Sequence, residues 1–271
     1  MPSAAPQLQG AARSGIKGAN RGDERMRLDG KTAIVTGGAS GFGRGIAEKF
    51  TAEGARVLIA DRNGDAAEEV SRAILGLFEQ ADVAKDGDWA RLTARAMDEW
   101  GRIDILVNNA GITHLPQPME DVTEEEFDRI LAVNAKSVFL SARHVVPAMK
   151  AAGSGAILNV ASTAGVSPRP RLSWYNASKG WMITATKAMA VELAPAGVRV
   201  NCLNPVAGDT PLLASFLGED TPEMRAKFLS TIPIGRFSTP ADMGNAACFL
   251  CSDEASMITG VGLEVDGGRC I

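Results

Sequence analysis

A single tyrosine, Tyr175, is followed four residues later by Lys179. On a helix that spacing puts a phenol and an ammonium on one face. A cation beside a phenol favours the phenolate, so the pair reads as a general acid/base whose pKa is drawn down toward a working range. The chain uses nine phenylalanines and one tyrosine, which singles out that hydroxyl. Thirteen residues earlier stands Ser162, in Asn159-Val-Ala-Ser-Thr-Ala-Gly165 at the end of a strand-like run, where a hydroxyl can hydrogen-bond a reacting oxygen. Each signal alone is weak. Tyr-x-x-x-Lys arises often by chance, and a serine at that point also suits a turn cap.

A second constellation lies upstream. Thr36-Gly-Gly-Ala-Ser-Gly-Phe-Gly43 leads from a β-rich run into a helical one, with Gly37, Gly41 and Gly43 enclosing Ser40 and Phe42. Missing side chains allow a sharp turn and let a pyrophosphate approach the backbone at a helix N-terminus. The next strand-like run ends in Asp61-Arg62, twenty residues beyond Gly41. An acid there accepts from adenosine ribose hydroxyls and repels a 2′-phosphate, which favours NAD; the adjacent guanidinium of Arg62 leaves NADP open.

Elements that would position these groups follow from periodicity. Nearly all-apolar strand runs occur at Thr32–Thr36, Arg56–Ala60, Ile103–Val107, Ala156–Val160, Val198–Cys202 and Gly262–Val265, with a short one at Gln80–Val83. Helical runs lie between them, at Arg44–Glu53, Asp65–Leu77, Asp86–Trp100, Thr123–Ala151, Trp174–Leu193 and Pro240–Leu250. Apolar strands alternating with amphipathic helices predict an α/β fold: one Rossmann-type, doubly wound parallel sheet of about seven strands with helices on both faces. Residues 26–271 read as one such domain. The strandless stretch from Pro205 to Thr239 reads as a lid, near 206–238.

Composition narrows the function classes. The chain has 271 residues, 45% hydrophobic, with a net charge of −4. That balance gives no basic surface to track nucleic acid, and no apolar run is long enough to span a membrane. Cys248 and Cys251 form a C-x-x-C inside an apolar helical run without a second ligand pair, so core packing is expected and no metal site. His144 reads as structural, and His114 as a surface loop residue in preference to one edging the active site. Residues 1–25 read as a tail outside the domain, either a disordered segment or one preceding a true start at Met26; a transit peptide has the same composition.

From Leu28 onward the chain resembles the short-chain dehydrogenase/reductase superfamily. The resemblance rests on Thr36-Gly-x-x-x-Gly-x-Gly43, Asn108-Asn-Ala-Gly111, Asn134, Ser162, Tyr175-x-x-x-Lys179 and Val265-Asp-Gly-Gly268, in that order over about nine-tenths of the sequence. It implies Tyr175 as the general acid/base, Lys179 as the cation that lowers its pKa and binds the nicotinamide ribose, and Ser162 as the group that orients the substrate oxygen. Asn134 would help hold a water behind Lys179. Asn109, Ala110 and Gly111 would flank the adenosine half of the cofactor, Asp82 and Val83 the adenine, and Pro205 and Thr210 the nicotinamide. Val206 stands where the family has glycine, which departs from the pattern at that turn. Cytoplasmic homotetramers are usual in the family and are expected here.

The activity expected is NAD-dependent interconversion of a secondary alcohol and its ketone. An NADP-dependent 3-oxoacyl-[acyl-carrier-protein] reductase is the enzymatic rival, and a non-catalytic NAD-sensing protein the rival from another class. The substrate pocket is expected from Thr113–Pro118, Thr163–Trp174 and the lid. Arg169 or Arg171, close to Tyr175 in sequence, would favour an anionic substrate, although a solvated basic loop explains them equally well.

Overall fold

The computed structural model describes residues 26–271, so the reading of the first 25 residues lies outside it. The elements are β1 (Thr32–Thr36), α1 (Gly41–Ala52), β2 (Arg56–Asp61), α2 (Gly64–Ala73), β3 (Leu77–Gln80), α3 (Asp86–Trp100), β4 (Ile105–Asn108), α4 (Glu124–Leu131), α5 (Ser137–Ala152), β5 (Gly155–Val160), α6 (Ser173–Leu193), β6 (Val198–Pro205), α7 (Leu213–Leu217), α8 (Pro222–Leu229), α9 (Pro240–Cys251) and β7 (Gly262–Val265).

The seven strands form one parallel sheet in the order β3-β2-β1-β4-β5-β6-β7. Because side chains alternate along a strand, each central strand feeds two cores. Ala33 and Val35 of β1, with Val57 and Ile59 of β2, pack under α1, α2 and α9. Ile34, Leu58 and Ala60 face the opposite way, under α3, α5 and α6. Helices on both faces explain why these strands are apolar throughout. Phe50 of α1 and Trp89 of α3 are among the largest fully buried side chains, and truncating either to Ala would cost about 3–5 kcal/mol.

Several boundaries differ from the periodicity. The helix expected over Asp65–Leu77 stops at Ala73, because Leu75 adopts a left-handed conformation at φ 54° and Gly76 carries the chain into β3. The third strand is therefore Leu77–Gln80, paired with Leu58–Asp61, and not Gln80–Val83. Its alternating burial is that of an edge strand and hides it in an apolar-run search. The helix expected over Thr123–Ala151 is interrupted: a capping box between Thr123 and Glu126 starts α4, and Ala132–Lys136 then forms a π-helical turn before α5. The strandless stretch after β6 contains α7 and α8, which close on a small core of their own made by Val206, Leu213, Leu217, Phe228 and Ile232.

Cys248 and Cys251 are buried in the α1/α9 core, as packing predicts. His144 sits on α5 with Nε2 2.9 Å from an Asp86 carboxylate oxygen at the start of α3. His114 departs from expectation: it is 2% exposed, with Nδ1 2.7 Å from the Leu115 carbonyl. Among the described residues no helix is long and apolar enough to cross a membrane.

Candidate active site

Chain order runs outward from β1 to β3 and then returns to β4 on the other side of β1. Ligands bind at the carboxyl ends of strands where such a sheet reverses. A cleft of about 400 Å³ opens there, lined by residues that follow β1, β2, β3, β4, β5 and β6 and by Arg269 after β7.

The glycine turn is braced from β4. Thr36 Oγ1 donates to the Val107 carbonyl at 3.1 Å and accepts from the N–H groups of Asn109 at 3.0 Å and Ala110 at 3.1 Å. The Asn109 amide donates back to the carbonyls of Thr36 at 2.9 Å and Gly37 at 3.1 Å. This side-chain bracing was not visible in the sequence, where Asn109 read only as a backbone neighbour of the adenosine. Gly43 has no room for a side chain, since a Cβ would fall 2.1 Å from the Gly37 carbonyl oxygen. Gly43 thus lies behind the turn, whereas Gly37, Ser40, Gly41 and Phe42 line the cleft. Gly41 has a φ of +53°, and the Thr210 side chain lies 3.3 Å from where its Cβ would stand. The first turn of α1 carries no acid, leaving its N-terminus suited to an anion.

Asp61 closes β2 and accepts from the N–H groups of Ala39 at 3.1 Å and Asn63 at 3.0 Å. One carboxylate thereby ties the glycine turn to the end of β2, with lone pairs to spare. Arg62, Asp82 and Val83 line the same end, and Asp82 is fixed by the N–H of Ala84 at 3.0 Å. These positions fit a dinucleotide: a side-chain-free turn at a helix N-terminus, then an acid at the end of the next strand.

Ser162, Tyr175 and Lys179 meet at the other side of the cleft. Ser162 follows β5 and its Oγ accepts from the Ala164 N–H at 3.0 Å. Tyr175 and Lys179 are buried on α6. The Lys179 Nζ donates to the Val160 carbonyl at 2.8 Å and lies 5.9 Å from the Tyr175 ring centroid. Burial pushes Tyr175 up to about 12, and the influences that oppose the rise are the Ser162 hydroxyl and the positive charge of Arg169. Burial also pushes Lys179 down to about 8.

Asn134 lies behind the cleft wall, fully buried on the π turn. Its carbonyl oxygen accepts from the Ile112 N–H at 2.9 Å, and its amide donates to the Ile112 carbonyl at 2.9 Å and to Ser178 Oγ at 3.0 Å. A Cβ on Gly111 would stand 3.2 Å from Lys179 Nζ and 3.5 Å from Asn134 Oδ1, so these three groups share one corner. Asn134 thus sits on a π turn, a local feature frequent at functional sites.

The substrate side is partly as expected. Thr163, Ala164, Arg169 and Leu172 line it, with Val206, Ala207, Thr210, Pro211, Leu212, Phe216 and Phe228 from the lid segment. Thr113–Pro118 contributes no lining residue, because His114 and Thr113 are turned into the interior, and Ile112 lines the cleft in their place. Arg171 is exposed and outside the lining. Val206 adopts no left-handed conformation, so the turn after Pro205 does not need glycine. The lid expectation covered Phe216 without singling it out, and its ring meets that of Tyr175 at 5.2 Å and 63°; sequence reasoning missed Arg269. Arg269 follows the last strand of a parallel sheet, whose carboxyl end must point to the same rim as the glycine turn. That topology was the signal that could have found it.

A family profile described as enoyl-(acyl carrier protein) reductase matches residues 37–269. The chain belongs to the short-chain dehydrogenase/reductase superfamily. It is an oxidoreductase of that superfamily. A 4-formylbenzenesulfonate dehydrogenase of Comamonas testosteroni is 48% identical over 91% of this chain and 100% of its own length. A 2,5-dichloro-2,5-cyclohexadiene-1,4-diol dehydrogenase of Sphingobium indicum is 38% identical over 89% of this chain and 97% of its own. Among solved structures, a 3-ketoacyl-(acyl-carrier-protein) reductase from Brucella melitensis complexed with NADH superposes with a TM-score of 0.86, at 51% identity over 90% of this chain and 100% of that one.

Proposed function

We propose that this short-chain dehydrogenase/reductase interconverts a secondary alcohol and its ketone with NAD. The observation that carries the reading is that Ser162, Tyr175 and Lys179 line the same cleft as Asp61 and the glycine turn. When bound, the nicotinamide would supply the hydride-accepting or hydride-donating carbon. Proton transfer falls to the chain. Tyr175 exchanges a proton with the substrate oxygen, Ser162 hydrogen-bonds that oxygen, and Lys179 supplies positive charge to the corner behind it. Asn134 acts one step back, by fixing Ile112 and Ser178 around Lys179. Asp61 supports NAD over NADP through its repulsion of a 2′-phosphate.

Residues 26–271 act as one catalytic domain in this reading, with 206–238 as the lid over the substrate. A homotetramer is the proposed assembly. Its support is an exposed apolar groove on α4, the π turn, α5 and α6, where Phe139 is 56% and Trp181 44% exposed.

The second reading, a 3-oxoacyl-[acyl-carrier-protein] reductase, is favoured by the description of the 51% identical structure. Turnover of secondary alcohols, ketones and an acetoacetyl thioester with NADH and NADPH separates the two. The Tyr175→Phe variant is the control: it should retain cofactor binding and lose turnover. Cofactor binding by the unaltered protein without turnover of any substrate would replace both readings with a nucleotide sensor.

A further inference from the structure

The cleft is electrically lopsided. The acids in its lining, Asp61 and Asp82, stand at the β2 and β3 end. Beyond Tyr175, on the β5 and β7 side, the charged residues are two arginines, Arg169 and Arg269. They come from segments a hundred residues apart and converge on one ring. The guanidinium carbon of Arg169 lies 4.5 Å from the centroid of Phe228, and that of Arg269 lies 5.1 Å from it.

Among the described residues no carboxylate forms a salt bridge with either arginine, whereas Arg225 and Arg236 nearby are paired with Asp220 and Asp242. Arg269 donates to Thr231 Oγ1 at 2.6 Å, a neutral partner. The Arg169 guanidinium makes no hydrogen bond to any described residue; its carbonyl alone is used, by the Asn176 amide at 2.7 Å. Burial and the charge of Arg269 both weaken the hold of Arg169 on its proton, and Arg169 in turn acts on Tyr175. Two like charges converging beside an apolar ring repel each other and call for an anion between or beside them. Guanidiniums present paired donors that match a carboxylate or sulfonate. The surrounding surface of Leu172, Phe216, Phe228 and Val206 suits an apolar substrate body.

We propose that Arg169 and Arg269 bind an oxyanion carried by the substrate, a carboxylate or sulfonate, while the reacting carbon faces Tyr175. This rests on the secondary-alcohol reading for the reaction, but the anion site itself does not need turnover to be detected. Binding to the NADH-loaded protein is measured by calorimetry with benzoate, benzenesulfonate and cyclohexanecarboxylate, and with the corresponding neutral amides. The anions are expected to bind tighter than their amides. Arg169→Gln and Arg269→Gln should each weaken anion binding by about tenfold or more while leaving NADH affinity intact, and the exposed Arg171→Gln should change nothing. Carboxylates and sulfonates are ranked by the same titration. Amides that bind as well as the anions would overturn the proposal, as would arginine variants that lose NADH, since the pair would then serve the cofactor. Turnover is read separately with 4-(1-hydroxyethyl)benzoate and its amide. Anion binding without turnover would reject the dehydrogenase reading and keep the anion site; equal turnover of both would do the reverse.

Discussion

Lys179 and Tyr175 are one helical turn apart, yet the ammonium is spent on the Val160 carbonyl, 2.8 Å away, and passes the phenol ring at 5.9 Å from its centroid. Both groups are buried, and burial moves the phenol up and the amine down.

Tyr175 is the only tyrosine, so tyrosinate absorbance reports this one group. The free protein should titrate at about 12, against about 10 for an ordinary phenol. Ser162→Ala and Arg169→Ala should each move the midpoint further up, because both groups oppose the burial effect. A midpoint at the ordinary value would show that the phenol is not buried as described.

Lys179 gives a stability test. Its pKa is pushed down to about 8, against about 10.4 for an ordinary lysine. Between those values the unfolded chain binds more protons than the folded one, so stability rises with pH there. Below about pH 8 the full penalty is present, up to about 3 kcal/mol. Lys179→Met removes that penalty but leaves the Val160 carbonyl without its donor, at a cost of about 1–3 kcal/mol. Near neutral pH the two offset. The readout is the difference: wild type should gain on the variant from about pH 8 to about pH 10 in denaturant melts. Above that range the raised Tyr175 pKa works in the opposite sense. A flat difference would contradict a buried ammonium.

Asp61 should set cofactor choice. Asp61→Asn removes the charge and leaves one amide oxygen, so it can keep an acceptor for only one of the N–H groups of Ala39 and Asn63. The NADPH to NADH ratio of kcat/KM is expected to rise by about tenfold or more. An unchanged ratio would place the discrimination elsewhere, with Arg62 the next residue to vary.

Gly43 is tested by one methyl group. Its Cβ would lie 2.1 Å from the Gly37 carbonyl, so Gly43→Ala must push α1 away from the turn. Overpacking of this kind costs about 1–3 kcal/mol, and cofactor affinity should fall with it. Calorimetric binding of NADH alongside a thermal melt checks both.

The sheet and most of its helices were legible because strands buried on two faces are apolar end to end, as Ile34 and Val35 illustrate. The edge strand β3 was displaced because half its residues face solvent and the preceding helix ends on a left-handed leucine, which has no sequence signature. The catalytic cluster was legible as spacing, since Tyr175 and Lys179 share a helix. Its electrostatics were not, because the Lys179 partner is a backbone carbonyl nineteen residues away in sequence. The π turn under Asn134 was likewise silent in a sequence that reads as continuous helix. Arg269 escaped because its partner in the cleft, Arg169, is joined to it only through the fold.

The segment after β6 has a consequence for how this scaffold changes. It places Thr210 against the glycine turn, Phe216 on the Tyr175 ring and Phe228 within reach of two guanidiniums, yet it folds around its own five-residue apolar cluster. Mutations there can re-tailor what enters the pocket without disturbing the seven strands beneath, so new specificities are reachable on an unaltered foundation.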